Sequence, residues 1–310
     1  MSHTLSAVFP VFALIFLGFG VSRLGVLGPH AIDSLNRFVV YLALPAVLFR
    51  SMAAITPEQA SQHGYLYASV LAIAIVYLVA WVFARRQNKD INTIALEALS
   101  ASYANSGYMG LPLCVMLLGP DSIPAVALAI LMTACLLFAC TLAIMEFSRN
   151  RHGSIWSTAQ KVGLSLAKNP LVIAPIAGGL YALLGLKLPT AIDRTAELLS
   201  LAASPCALVC IGLFLAQPQQ AGQVPNKILV RILALKLILH PMVTAILVFW
   251  VFDMDPLWAK VAVLLAALPI GTGPFMLATL FERDAAVVSK AILYSTLVSI
   301  LSVSVIAKWL

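Results

Sequence analysis

The chain has 310 residues, of which 62% are apolar and 10% charged, with a mean hydropathy of +1.00. Soluble domains carry about 45–50% apolar and about 25% charged residues, so this composition could not cover its own surface in water and excludes a cytosolic enzyme, a nucleic-acid-binding module and a disordered regulator. The formal net charge of +7 is what basic loops on one face of a bilayer produce, and no nucleic-acid partner is expected.

A membrane-spanning helix needs about 20 mostly apolar residues. In chain order, ten stretches qualify: 4–22, 31–53, 64–84, 94–119, 122–145, 168–186, 195–216, 228–251, 257–280 and 285–308. The runs are continuous rather than alternating, which argues for helices over a β-barrel. The first does not read as a cleaved signal peptide, because it lacks a basic leader and a small-residue cleavage site ahead of Arg23. The expected fold class is an all-α polytopic membrane protein with ten transmembrane helices. Cys114, Cys135, Cys140, Cys206 and Cys210 all lie in apolar stretches and read as small buried hydrophobes. Cys206 and Cys210 share a helix face, but no His or third Cys stands nearby, so neither a metal nor a cofactor is expected.

The longest linker, Phe147–Ala167, carries Arg149, Arg151, His152 and Lys161. Alternating the loops places Arg50, Lys187, Arg194, Lys260 and Lys308 on one side and the other 14 of the 19 Lys and Arg on the opposite side. Positive-inside then puts the basic loops in the cytoplasm and both termini outside it, in a cell inner (plasma) membrane.

A shift of 160 residues superposes the sequence on itself. Pro10, Gly18, Leu24, Gly25, Pro29, Ala31, Ile32, Asp33, Ala43, Pro45 and Leu48 fall on Pro170, Gly178, Leu184, Gly185, Pro189, Ala191, Ile192, Asp193, Ala203, Pro205 and Leu208. Apolar background accounts for some of the Ala and Leu pairs but not for three Pro, two Gly and one Asp pair. The chain divides into a first five-helix repeat at 1–146, a cytoplasmic linker at 147–167 and a second five-helix repeat at 168–310. Five spans is an odd number, so the second repeat enters from the opposite face and the halves are inverted. That arrangement is a signature of secondary transporters.

Stretches four and nine hold the unusual chemistry. The fourth contains Asn105-Ser106-Gly107-Tyr108-Met109-Gly110-Leu111-Pro112 and the ninth Pro269-Ile270-Gly271-Thr272-Gly273-Pro274. Pro removes a backbone donor and clashes with the preceding turn, and Gly frees the backbone. Gly110, Pro112, Pro269 and Pro274 therefore read as helix breaks. Pro45 and Pro205 are a second matched pair, read as kinks in spans two and seven. A broken helix exposes N–H groups that suit a carboxylate and C=O groups that suit a cation or a donor. Asn105, Ser106, Tyr108 and Thr272 would add side-chain hydrogen bonds.

Other polar residues lie within or near the spans. Lys236 and His240 share one face of span eight ahead of Pro241, and ionisable groups there usually face the bundle interior. Lys236 could instead snorkel to the basic side, and His240 could be a satisfied core histidine. Glu97 could pair with a Lys or cap a helix. Asp33 and Asp193 complement helix dipoles. Arg50 reads as a snorkelling surface Arg. Asn36 is either an interhelical contact or a ligand.

The Asn-x-Gly-x-x-Gly-x-Pro pattern at Asn105–Pro112, the Pro-x-Gly-x-Gly-Pro stretch at Pro269–Pro274 and the Lys-x-x-x-His-Pro stretch at Lys236–Pro241 resemble the auxin efflux carrier family, across essentially the whole chain. Its bacterial members are often described as malonate or organic-anion permeases. The resemblance implies the fold of bile-acid/sodium symporters, with a scaffold domain, a crossover domain and spans four and nine crossing in the latter. It places a ligand carboxylate near Asn105, Gly107, Gly271, Thr272 and Gly273. The expectation is a secondary transporter of a small organic anion, working by alternating access. Its partners are that anion and the lipid bilayer; Na+ or H+ are candidate coupling ions, and a homodimer is open. A sodium- or proton-coupled symporter or antiporter of the same fold is the alternative. A membrane-embedded enzyme lacks support, since no His-Glu-x-x-His or Gly-x-Ser-x-Gly motif and no catalytic residue is evident. A sensor would need a signalling domain that no linker can hold.

Overall fold

The computed structural model describes residues 2–28, 30–87, 89–149, 155–186, 188–217, 224–252 and 254–309. Pro29 of the repeat, and Arg151, His152 and Lys187 of the charge sorting, lie outside the described residues. The helices in chain order are α1 Ser2–Arg23, α2 Ala31–Ala53, α3 Pro57–Arg85, α4 Ile91–Ser102, α5 Ser106–Leu118, α6 Pro120–Arg149, α7 Ile155–Ala167, α8 Pro170–Leu183, α9 Thr190–Ala216, α10 Asn226–Val251, α11 Pro256–Ala266, α12 Gly273–Leu280 and α13 Ala286–Trp309. No strand occurs among the described residues; one isolated antiparallel bridge joins Ala104 to Ile270.

Six helices are long and apolar enough to cross a membrane: α2, α3, α6, α9, α10 and α13. Thr158–Ala167 and α8, bent by 69° at their junction, make a seventh if counted as one span. The ten apolar stretches are thus not ten uninterrupted rods. Stretch 94–119 is divided between α4 and α5, and 257–280 between α11 and α12. At the α11–α12 joint, 267–272, Pro269 and Gly271 give the physical reason. The α4–α5 joint, Tyr103-Ala104-Asn105, holds neither residue type. The expected breaks at Gly110 and Pro112 are therefore corrected: both lie inside α5, where a π-helical turn absorbs the proline.

Starts are set by side-chain caps. Asp90 accepts from the N–H groups of Asn92 and Thr93 at α4, Asn169 from Leu171 at α8, and Asp255 from Leu257 and Trp258 at α11. Inside the long helices, three prolines each follow a π-helical turn by two residues. Val39–Ala43 precedes Pro45, Ser106–Gly110 precedes Pro112, and Leu235–Leu239 precedes Pro241. The wider turn accommodates the missing N–H and the ring of proline. Pro205, the repeat partner of Pro45, sits in an uninterrupted α-helix instead.

Local geometry recurs at the 160-residue spacing. Gly25 and Gly185 both end helices with positive φ, +67° and +64°. Each is followed by the same cap bond, Val26 N–H to Val21 O at 3.1 Å and Leu186 N–H to Tyr181 O at 3.3 Å. α1 packs along α9, and α8 along the C-terminal part of α2. A Cβ on Gly18 would lie 2.3 Å from Val209 O, and one on Gly178 would lie 2.4 Å from Phe49 O. Gly18 and Gly178 are repeat partners, and so are Phe49 and Val209. Two glycines therefore let two helix pairs touch backbone to backbone at one register.

Candidate functional site at the joints of α4–α5 and α11–α12

α4 ends where Ser100 and Ser102 turn their hydroxyls back on Leu96 O and Ala98 O, at 2.7 and 2.8 Å. Tyr103 is then extended (φ −86°, ψ 99°). The segment pairs with the joint after α11: Asn105 N–H donates to Pro269 O at 3.0 Å, and Gly271 N–H to Tyr103 O at 3.1 Å. Ile270 N–H donates to Ser295 Oγ at 3.1 Å, and Asn105 O accepts from the N–H groups of Met109 and Gly110. Several backbone groups freed by the joints are thereby satisfied by each other rather than left bare. The first turns of α5 and α12 keep N–H groups with no partner inside their helices.

The glycines make this approach feasible. A Cβ on Gly271 would sit 3.0 Å from the Tyr103 ring and 3.2 Å from Asn105 Cα, and one on Gly273 would sit 2.6 Å from Tyr103 Cζ. On Gly110 it would meet Leu265 Cδ2 at 2.6 Å. Gly271 and Gly273 thus lie under the Tyr103 ring. Thr272, between them, is half-buried. Gly107 faces Leu44 and Ile130. Asn105 is 6% exposed, and no side-chain hydrogen bond is formed by it among the described residues. The Tyr108 hydroxyl donates to Asn36 Oδ1 on α2, which makes Asn36 an interhelical contact.

Lys236 is completely buried, 0% exposed. Its Nζ donates to Ala266 O at 2.6 Å, on the last residue of α11, and lies 3.2 Å from His240 Nδ1. The snorkelling reading of Lys236 is therefore corrected. The ammonium stays inside because the negative C-terminal end of α11 holds it. Lys236 donates in this contact when His240 carries its proton on Nε2. Arg50, a partly exposed Arg as expected, forms an ion pair with Asp193, Nε to Oδ1 at 2.7 Å and Nη2 to Oδ2 at 3.3 Å. Asp193 thus has a charge partner besides its helix dipole. Glu97 does pair with a lysine: it is 4% exposed and is held by Lys89 and by Arg231 at 2.5 Å. Since Arg231 also reaches Phe83 O, this cluster cross-links α3, α4 and α10.

A small cavity of about 30 Å³ lies beside the joints, lined among others by Tyr65, Ser106, Thr133, His240, Thr244 and Ala266. Of the residues named from the sequence, it brings together Ser106 and His240, with Lys236 behind them. Asn105, Gly107, Tyr108, Gly271, Thr272 and Gly273 are not in its lining. Its size suits about one or two waters or a small ion, and a carboxylate with a carbon chain does not fit without movement. A larger cavity of about 560 Å³ lies at the start of α4 and the end of α12, lined by Lys89, Asp90, Asn92, Arg149 and Arg283 among others. Its cations are already paired, Arg283 with Asp90, Lys89 with Glu97 and Arg149 with Glu146. The site chemistry therefore belongs to the smaller one.

Sequence reasoning missed Tyr103, Tyr65, Thr133, Thr244 and Ser295. Tyr103 had a signal, an aromatic two residues before Asn105 and complementary to a Gly-x-Gly surface. The hydroxyl residues had none, since Ser and Thr in apolar helices commonly bond their own backbone.

A helical bundle of this composition, with a lysine and a small cavity buried where two helices stop and restart, is the interior of a membrane transport protein. The chain belongs to the membrane transport protein family, whose model matches residues 3–307. It is 30% identical over 310 residues to a Rhizobium meliloti (strain 1021) protein named "Putative malonate transporter", covering 98% of this chain and 95% of that one. It is 23% identical over 329 residues to auxin efflux carrier component 5 of Arabidopsis thaliana, covering 96% and 93%. An uncharacterized transporter of Methanothermobacter thermautotrophicus is 26% identical over 304 residues, covering 95% and 94%. The family is one of transporters, not enzymes, and the chain is a multi-pass membrane protein.

Proposed function

We propose that the protein is a secondary transporter of a small organic anion, a mono- or dicarboxylate, working by alternating access. The observation that carries this reading is the meeting of two interrupted helices at Ala104 and Ile270, beside a buried ammonium that no Asp or Glu pairs with among the described residues. A lone positive charge inside a membrane protein is costly unless an anion comes to it. Substrate binds where α4–α5 crosses α11–α12. Asn105, Ser106, Gly107, Tyr108, Gly271, Thr272 and Gly273 line the approach, Lys236 supplies the positive field and His240 a ring nitrogen for hydrogen bonding. The name of the Rhizobium relative favours a dicarboxylate such as malonate.

The architecture we infer is two inverted five-helix repeats, 1–146 and 168–310, around a cytoplasmic linker at 147–167. α4–α5 and α11–α12 are each one broken span, giving ten spans. The recurrence of the Gly25 and Gly185 caps and of the Gly18 and Gly178 contacts supports the repeat. α1, α2, α8 and α9 form a scaffold, and the crossing helices move against it. Gly110, Pro112, Pro269 and Pro274 permit the two states. The excess of Lys and Arg on one side supports an inner-membrane location with both termini outside the cytoplasm.

Uptake of labelled malonate and other carboxylates into proteoliposomes tests the reading, with Na+, H+ and choline gradients as separate arms for coupling. Flux of at least one carboxylate, reduced at least tenfold by Lys236→Met, is expected. Absence of flux for every mono- and dicarboxylate in correctly reconstituted protein overturns it.

A further inference from the structure

The cavity beside Lys236 gathers several polar groups of its own. Four observations converge on it. The Lys236 ammonium is fully buried, and its bonds are to a peptide carbonyl and an imidazole, neither of which is negatively charged. No Asp or Glu reaches Lys236 or His240 among the described residues, so a Lys236 ammonium has no counter-charge there. The hydroxyl of Ser106 is 2% exposed, lines the cavity and has no hydrogen-bond partner. The cavity measures about 30 Å³, above the roughly 10–15 Å³ that a single water requires.

The donors can be counted. Tyr65 gives its hydroxyl proton to Ala125 O, Thr133 to Ala129 O or Ile130 O, and Thr244 to His240 O. That leaves the hydroxyls of Ser106 and Ser69 and the outer ring nitrogen of His240 in the lining with no partner among the described residues, beside Lys236. A free-donor set beside a fixed positive charge recognises an anion. A cation would meet Lys236 at close range, and a water would satisfy the donors but leave the charge unbalanced. The dimensions exclude a carboxylate with a carbon chain. We propose that the cavity binds one small inorganic monoanion, chloride or bromide, as counter-ion to Lys236 in this closed form of the protein. Ser106 and His240 are its hydrogen-bond donors. Anion binding here does not depend on what the protein transports.

Thermal melting of the purified full chain in chloride, bromide, gluconate and sulfate, at matched ionic strength, tests this. At about 100 mM, chloride and bromide should raise the melting temperature by about 3 °C or more over gluconate and sulfate, in a saturable way. Ser106→Ala should weaken the chloride dependence about tenfold, and Lys236→Met should remove it. Arg50→Gln, far from the cavity lining, should retain it. Equal melting in all four anions overturns the proposal, as does a chloride effect that persists unchanged in both cavity variants. Should Lys236→Met fail to fold, Ser106→Ala decides alone, because it removes one hydroxyl and leaves the charge in place. Malonate is titrated separately in gluconate. Stabilisation by malonate with no chloride effect removes this site and spares the transport reading; a chloride effect with no carboxylate flux does the reverse.

Discussion

The contacts of α1 with α9 and of α8 with α2 differ in kind from the crossing of α4–α5 with α11–α12. In the first region the two halves do the same thing twice, as Gly18 on Val209 O and Gly178 on Phe49 O. The surfaces are apolar, and α1, α8 and α9 run on through their contacts. In the second region both helices stop, their main chains bond each other, and the surroundings are unequal. Tyr103 covers Gly271 and Gly273 from one side, while Lys236 and His240 stand near the end of α11. Glycine serves proximity in both regions. Only at the crossing does proximity leave polar groups inside the bundle. The repeated contacts hold the halves together; the unequal ones carry the chemistry.

The sharpest way to break this contrast is to add bulk where α8 meets α2. Gly178→Leu drives a side chain into Phe49 O and should cost about 3 kcal/mol or more, with loss of folded protein on size-exclusion chromatography. Gly20→Ala, where an added Cβ meets nothing within 4 Å, should leave melting unchanged or raised. At the crossing the penalty should be smaller and coupled to one partner. Gly273→Ala pushes on Tyr103 Cζ and should cost about 1–3 kcal/mol. Adding Tyr103→Ala should recover at least about 0.5 kcal/mol of it in a double-mutant cycle. If the loss is unchanged, something other than the ring is what the glycine accommodates.

Function gives a narrower effect. Asn105→Ala should weaken malonate binding about tenfold, about 1.4 kcal/mol, in a thermal-shift titration. Asp33→Ala, in the first turn of α2, should bind as before. Equal affinities for both variants would place the substrate away from the crossing. The smallest effect concerns a place where the halves part. Arg50 pairs with Asp193, whereas Cys210, 160 residues on, has only a 4.0 Å approach of its Sγ to Ile32 O. This half-exposed pair is partly screened by solvent, so Arg50→Gln should shift melting by about 1 °C or less, and less still at high salt. A larger shift would mean that the pair locks the scaffold rather than decorating it.

Most of the architecture was legible in the residues. The density of apolar side chains forces a membrane-embedded helical bundle. The pairs Gly18–Gly178 and Gly25–Gly185 show in the letters what recurs as a packing contact and a helix cap. Pro269 and Pro274 mark where α11 stops and α12 starts, whereas Gly110 and Pro112, which read as breaks, fall inside α5. Spacing along one helix also paired Lys236 with His240. Less legible was the number of long rods, because a stretch such as 94–119 satisfies a length criterion while its Asn-x-Gly segment denies it a continuous helix. The ion pairs Arg50–Asp193 and Glu97–Arg231 join residues more than 130 positions apart. No local pattern encodes such a pairing.

The sequence by itself determined the medium, the helical class, the α11–α12 joint and the transporter family, because hydropathy, proline and glycine act locally and report on each residue's own backbone and solvent. The tertiary structure decided which polar groups meet. It carried Lys236 to the end of α11 and left the Ser106 hydroxyl unpaired in a cavity of a few tens of cubic ångströms. It also laid Tyr103 across two glycines from another helix. These outcomes depend on distances between segments remote in the chain, set by how closely the backbones pack.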